Sequence, residues 1–246
     1  MKIIAFTRVH YGLDYLEWVM RSTLGFAMQH IILYSPEVSL GFNRSERPCP
    51  DNRQELFKAA RRAGPRLSWI DGVRPNVESI LFIHPDADAV LELDADEVIH
   101  PSLVEDIRRR LEGGELAARE YRLPFVHHWR NFGYVCRDTN WPIRLYLPKN
   151  HDGNTDYWPE GDIHGAIHHF GYARSIVDMR YKLDCSVHKP EFRPGWWDDI
   201  FLKFPERLND LHPVCVDGFW NAEPISRSTL PPVLFDHPYF NLEVIE

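Results

Sequence analysis

The sequence predicts an α/β fold built on a doubly wound, mostly parallel sheet with helices on both faces and an aromatic-rich C-terminal part. Three observations predict it. Apolar runs and amphipathic helical runs alternate through residues 1–115, the order that generates parallel strands joined by crossover helices. The apolar runs are continuous, as strands covered on both faces must be. From about residue 119 the pattern changes to short extended stretches rich in Tyr, Phe, Trp and His.

"KIIAF" is the first strand, ending at Thr7 and Arg8. "DYLEWVMRSTLG" is the first helix, with Asp14 as its cap, Glu17 at the third helical position, and Leu16, Val19, Met20 and Leu24 on one face before Gly25. "HIILYS" is a second strand, 37–52 a polar loop, "RQELFKAARRAG" a helix closed by Gly64 and Pro65, and "RLSWIDG" a third strand. A short helix around "NVESILFI" precedes the fourth strand, "VLELDADEVIH" at 90–100. "PSLVEDIRRRLEGG" follows as a helix with a Ser102/Glu105 capping box. "YRLPFVHHWRNFGYV", "PIRLYLPKN" and "IHHFGYARSIVDM" are expected to extend the sheet and build the second wall of a cleft. With no low-complexity linker or internal repeat, 1–246 reads as one domain.

An apolar fraction of 44% with 8 Trp, 10 Tyr and 14 Phe fills a core and excludes a disordered chain. The net charge of −8 argues against a surface that coats nucleic acid, although a nucleic-acid acceptor stays open. "MKIIAFTRVH" is too short an apolar run for a leader or a membrane span, so a cytoplasmic protein is expected, possible peripheral membrane association included. Cys49, Cys136, Cys185 and Cys215 form no C-x-x-C pair and are expected to be reduced.

In a doubly wound sheet ligands collect beyond the carboxyl ends of the strands. Thr7, Arg8, Ser35, Asp71 and the cluster Asp94, Asp96, Glu97 all fall at those ends. No G-x-G-x-x-G follows the first strand and no G-x-x-x-x-G-K-[ST] occurs, which disfavours a dinucleotide site and a P-loop. Asp94 and Asp96 alternate on an extended chain and so leave one face together. Two such carboxylates suit Mg2+ or Mn2+, which complete their shells with water and phosphate oxygens. The plainer alternative is an acidic loop near a helix N-terminus.

The order of several stretches resembles the family 2-type glycosyltransferases of GT-A fold. "FTRVHYGLDYLEWVMRSTLGFAMQHIILY" looks like their opening strand, helix and strand, and "VRPNVESILFIHPDADAVLELDADEVIHPSL" their Asn-bearing helix and "hhhhDADEhh" core. "WPIRLYLPKN" and "GDIHGAI" are similar to their "P-x-x-R-L-F" and "G-x-h-H-E" segments. "HHFGYARSIVDMRYK" resembles the H-x-G-[WY]-x-R-x4-M-x2-K signature of a subset, and "NDLHPV" their later "G-x-H-P". Two departures stand out. The second strand ends in Ser35 and Glu37 where the family carries a nucleotide-contacting acid, and His164 is followed by Gly165 rather than an acid.

The resemblance implies a GT-A-like domain whose residues 1–115 bind the nucleotide sugar and whose residues 116–246 face the acceptor. It implies transfer of a sugar from a UDP- or GDP-linked donor to the hydroxyl of a glycan, small molecule or other acceptor, with inversion. Asp94, Asp96 and His169 are then the Mn2+ or Mg2+ ligands. Thr7, Arg8, Ser35, Asp71, Asn76, Asp94 and Arg174 are the donor-site residues, Lys182 is a further cation near the diphosphate, and His164 and Trp158 lie on the acceptor side. Asp162, ahead of Glu160, is the expected base that takes the acceptor proton, with Glu97 a third candidate. Two rival readings keep the fold: a nucleotidyltransferase, for which "TRVHYGLD" is a poor match to a Gly-rich basic loop, and a carbohydrate-binding protein without activity.

Overall fold

The structure is a computed structural model and describes residues 1–37, 45, 47–64, 66–72, 77–137, 140–150, 153–159, 165–215 and 220–246. Strands β1 (Ile3–Val9), β2 (Gln29–Tyr34), β3 (Leu67–Asp71) and β4 (Ala89–Asp94) lie parallel in the order β3-β2-β1-β4. Helices α1 (Leu16–Ser22), α2 (Arg53–Ala63) and α3 (Val77–Ile83) connect them. Ile4, Phe6, Ile31, Leu33 and Val90 pack under Ile80 and Leu81 of α3. Val9 and Ile32 pack under Leu16 and Met20 of α1 and Leu56 and Ala60 of α2. Covering both faces is what makes these strands apolar throughout, as expected.

Beyond β4 the first sheet continues through β9 (Ile143–Tyr146), β6 (Glu120–Arg122) and β10 (Thr155–Tyr157), with β9 antiparallel to β4. A second sheet runs β12 (Ala222–Pro224), β8 (Tyr134–Arg137), β7 (Phe125–Trp129), β11 (Ile167–Tyr172) and β5 (Glu97–Ile99). One apolar cluster joins the two, with Leu91 and Leu93 of β4 alongside Ile99, Phe125 and Ile167. Helices α4 (Pro101–Glu112), α5 (Ile176–Cys185) and α6 (Trp196–Asp199) complete the named elements.

Three local expectations are corrected. The stretch 90–100 is not one strand: it breaks in a turn at Ala95-Asp96, and β5 leaves the first sheet to pair antiparallel with β11. The Asp96 carbonyl accepts from the Phe170 N–H, so the turn hands the chain to the second sheet. Asp94 and Asp96 therefore do not alternate along an extended backbone. Asp14 does not cap α1; its buried carboxylate pairs with Arg174, and Asp51 accepts the Gly12 and Leu13 N–H groups. At α4 the cap is the His100 ring, which accepts from the Ser102 N–H, and not a Ser102/Glu105 box.

Thr7 is fully buried, and its hydroxyl meets His30 Nε2 at 2.9 Å. The Thr23 hydroxyl already donates to the Met20 carbonyl, so His30 Nδ1–H donates to Thr23 and Nε2 accepts from Thr7. Thr7 thus spends its hydroxyl inside the fold and is no donor-site group. Burial lowers the His30 pKa to about 3. A depressed base pKa means that the unfolded chain binds more protons below about 6.5, so stability is lost as pH falls through that value. We expect His30 to cost about 2 kcal/mol between pH 6.5 and 5. Urea titrations of His30→Gln should show a correspondingly flatter pH dependence than wild type; equal slopes would refute the assignment.

Candidate functional site

The parallel register sets Arg8 beside Asp94 and Tyr34 beside Asp71, so the carboxyl ends of the four strands share one edge. Most of the groups on that edge already have partners. Asp71 takes both forks of Arg53 and the Trp69 N–H at 3.1 Å, and these bonds lower its pKa to about 2. The Ser35 hydroxyl donates to the Glu37 carbonyl. Asn76, Glu160, Asp162 and His164 lie outside the described residues.

At the end of β4 the acids are held by basic groups from two other elements. Arg8 of β1 pairs with Glu92 at 2.5 Å and stands 3.8 Å from Asp94. Arg144 of β9 donates through Nε to Glu97 at 2.8 Å and through its terminal nitrogen to Asp94 at 2.6 Å. Glu97 also accepts the Asp94 N–H at 3.1 Å, so one guanidinium and one peptide group tie the two ends of the turn together. Burial opposes the charge on Asp94, but Arg144 and Arg8 outweigh it and hold the carboxyl below its ordinary value. Burial pushes Glu97 up to about 8 against the pull of Arg144. Glu97 is 1% exposed, and Arg144 occupies both its oxygens, so it cannot reach an acceptor hydroxyl. It braces the turn and is not the base.

Asp96 is different. It is nearly buried, yet its nearest basic groups, Lys182 Nζ of α5 and His169 Nε2 of β11, stand off at 3.7 and 3.8 Å. Lys182 thus stands at an ion-pair separation, and neither contact is a hydrogen bond. Burial and the Lys182 charge hold His169 neutral, its pKa well below the ordinary value. His168 points the other way, into the interior, where its ring meets His128 at 3.0 Å. The alternation of the two histidines is as the sequence predicts.

Two glycines make this convergence possible. Gly12, at φ 132, lies so near the turn that an added Cβ would come 2.7 Å from Ala95 Cβ and 3.3 Å from Arg174. A Cβ on Gly171 would collide with Lys182 Nζ and with Cε1 and Nε2 of His169. Gly171→Ala must therefore push Lys182 and the less yielding His169 ring off Asp96. We expect a stability loss of about 1–3 kcal/mol from overpacking. Urea titration of the variant checks this; unchanged stability would show that the space above Gly171 yields freely.

Arg174 is 1% exposed behind the turn, paired with Asp14 at 2.7 Å and lying 4.9 Å from the Tyr11 ring centroid. Its role is support from within, not direct contact with a diphosphate. Trp158 is 3% exposed, donates to Asp106 of α4 and carries Arg110 on its face, so it packs and does not line an acceptor cleft. An apolar recess of about 180 Å³ lies among Met20, Leu24, Ala27 and Arg66, but its one imidazole, His30, is bonded through both nitrogens.

The donor set matches a divalent ion in kind. Asp94 and Asp96 supply hard oxygens, and Asp96 makes no hydrogen bond through its carboxylate among the described residues. Among those residues no three His, Cys, Asp or Glu side chains cage an ion by themselves. A site completed by water and phosphate oxygens does not require them to. Sequence reasoning missed Arg144 and Glu92. Arg144 had a signal: a lone arginine between Ile143 and Leu145 in an apolar strand needs a buried partner.

No protein-family model matches the sequence, and no curated protein matches it. Among solved structures the chain is similar to S. aureus TarS 1-349, at 11% identity and a TM-score of 0.37 over 60% of this chain and 47% of that one. It is also similar to glucosyl-3-phosphoglycerate synthase from Mycobacterium tuberculosis, solved in complex with Mg2+ and uridine-diphosphate, at 18% identity and a TM-score of 0.33 over 52% and 44%. The chain thus spans less than half the length of each of these two structures.

Proposed function

We propose that this chain is an inverting glycosyltransferase that moves a sugar from a UDP- or GDP-linked donor to an acceptor hydroxyl with the help of Mn2+ or Mg2+. The observation that carries the reading is Asp96, a buried carboxylate just beyond a parallel-strand terminus with Lys182 and His169 facing it and, among the described residues, no hydrogen bond to its carboxylate. Asp94, Asp96 and His169 would hold the ion, which supplies positive charge to the donor's diphosphate when bound. Arg8, its side chain 42% exposed on the rim, and Lys182 add fixed cations where negative charge grows on the departing phosphate oxygen. The acceptor oxygen bonds to the anomeric carbon as the carbon–phosphate-oxygen bond breaks. The acceptor proton passes to a carboxylate, assigned on sequence grounds to Asp162 ahead of Glu160.

In this reading residues 1–115 bind the nucleotide sugar, 116–246 add His169 and Lys182 and face the acceptor, and the acceptor is a glycan, small molecule or other hydroxyl compound, a nucleic acid included. Among the described residues no helix is long and apolar enough to cross a membrane. Action in the cytoplasm, at or near a membrane surface, belongs to the same proposal. The test is release of UDP or GDP from a panel of sugar nucleotides, with Mn2+ and with EDTA. Metal-dependent release from at least one donor supports the reading. Absence of both release and binding across the panel would falsify it, and pyrophosphate release from a nucleoside triphosphate plus a sugar phosphate would point to nucleotidyl transfer.

A further inference from the structure

We infer that His127 is a positioning residue that holds His169 in the tautomer whose bare Nε2 faces Asp96, a role that rests on His169 being an ion ligand as proposed above. The parallel register of β7 and β11 sets His127 beside His169. Their Nδ1 atoms lie 2.8 Å apart. A contact that short between two ring nitrogens holds one proton, so one ring donates and the other accepts. The two arrangements differ in what His169 presents to Asp96: a lone pair if its Nδ1 is protonated, an N–H if it is not.

Lys182 decides between them. The space above Gly171 is bounded at once by Lys182 Nζ and by Cε1 and Nε2 of His169. The ammonium therefore lies within about 5 Å of Nε2, where it attracts a lone pair and repels an N–H. An N–H on Nε2 would form no hydrogen bond with Asp96, whose nearest oxygen lies 3.8 Å away. The favoured arrangement is His169 Nδ1–H donating to His127 Nδ1, with His127 protonated on Nε2. Ring contacts keep the pair in register. Phe125 lies 5.1 Å from His127 and 5.2 Å from His169, and Trp220 lies 4.5 Å from His127, centroid to centroid. An imidazole that ligates a metal usually spends its other nitrogen on such a partner, which fixes both tautomer and ring angle.

The test uses the full chain labelled with 15N-histidine, without metal, and long-range proton–nitrogen correlation spectra at pH 8. We expect a protonated Nδ1 and a bare Nε2 at His169. His127→Ala should shift His169 toward the Nε2–H form that free imidazole side chains favour. His127→Asn, whose amide oxygen can accept from Nδ1–H, should restore the wild-type pattern. A protonated Nε2 in wild type, or a pattern unmoved in His127→Ala, overturns the inference. In parallel, Mn2+ affinity read by electron paramagnetic resonance should fall about 10- to 100-fold in His127→Ala and recover in His127→Asn. If wild type takes up no Mn2+, the ion reading fails, while the nitrogen shifts still decide whether His127 sets the tautomer.

Discussion

Asp96→Ala removes the Mn2+-dependent part of the thermal stabilisation that UDP or GDP gives the wild-type protein. A ligand at about 100 times its Kd adds about 2.7 kcal/mol to the stability of the state that binds it. For a chain of this size that corresponds to a rise of roughly 5–11 °C in Tm. Among the described residues the Asp96 carboxylate has no hydrogen-bonding partner to orphan, and its loss also relieves the cost of a buried charge, so the ligand-free Tm should move little. The comparison is thus clean: nucleotide plus Mn2+ raises wild type and leaves Asp96→Ala where nucleotide with EDTA leaves it. An equal rise in both proteins would remove Asp96 from the ion site and, with it, the observation on which the transferase reading stands.

Arg144→Met produces the largest loss of stability. The arginine's side chain is 11% exposed and its partner Glu97 1%, and the same guanidinium reaches Asp94. Removing one partner of a buried pair leaves the other charge without compensation, at a cost of about 3–5 kcal/mol. The Tm should fall by roughly 6–20 °C, against a much smaller change for exposed pairs such as Lys58 with Glu55. The double variant Arg144→Met/Glu97→Gln should recover part of the loss, because Glu97 then carries no charge to compensate while Asp94 still lacks the guanidinium. A cycle with no coupling between 144 and 97 would show that the clasp contributes nothing and that the turn is held by packing alone. Nucleotide binding by the double variant then reads out the second half of the role, the placement of Asp94.

The first half of the chain was legible because its signal is local. Crossover helices cover both faces of β1, β2 and β4, so burial imprints unbroken apolar runs, and amphipathic stripes mark α2 and α4. The capping error at Asp14 has a distant cause. Asp14 satisfies the local pattern for a cap, but a buried arginine 160 positions away in sequence binds it more strongly than a solvent-exposed peptide N–H would. Thr7 and Trp158 failed as site residues for a related reason. Polar atoms on a strand end or in an aromatic stretch look available until the structure supplies His30 and Asp106.

What the sequence determined by itself was the alternation of strands and helices, the location of the acidic cluster at a strand terminus, and the opposed faces of His168 and His169. These follow from chain periodicity, which needs no knowledge of distant partners. Only the tertiary structure decided which acids are free to act. Asp94 and Glu97 are neighbours of Asp96 in sequence, yet Arg144 claims both and leaves Asp96 to face Lys182 and His169. The reason is the turn at Ala95-Asp96, which sends the chain from one sheet to the other and so surrounds three adjacent acids with side chains from β1, β9, β11 and α5.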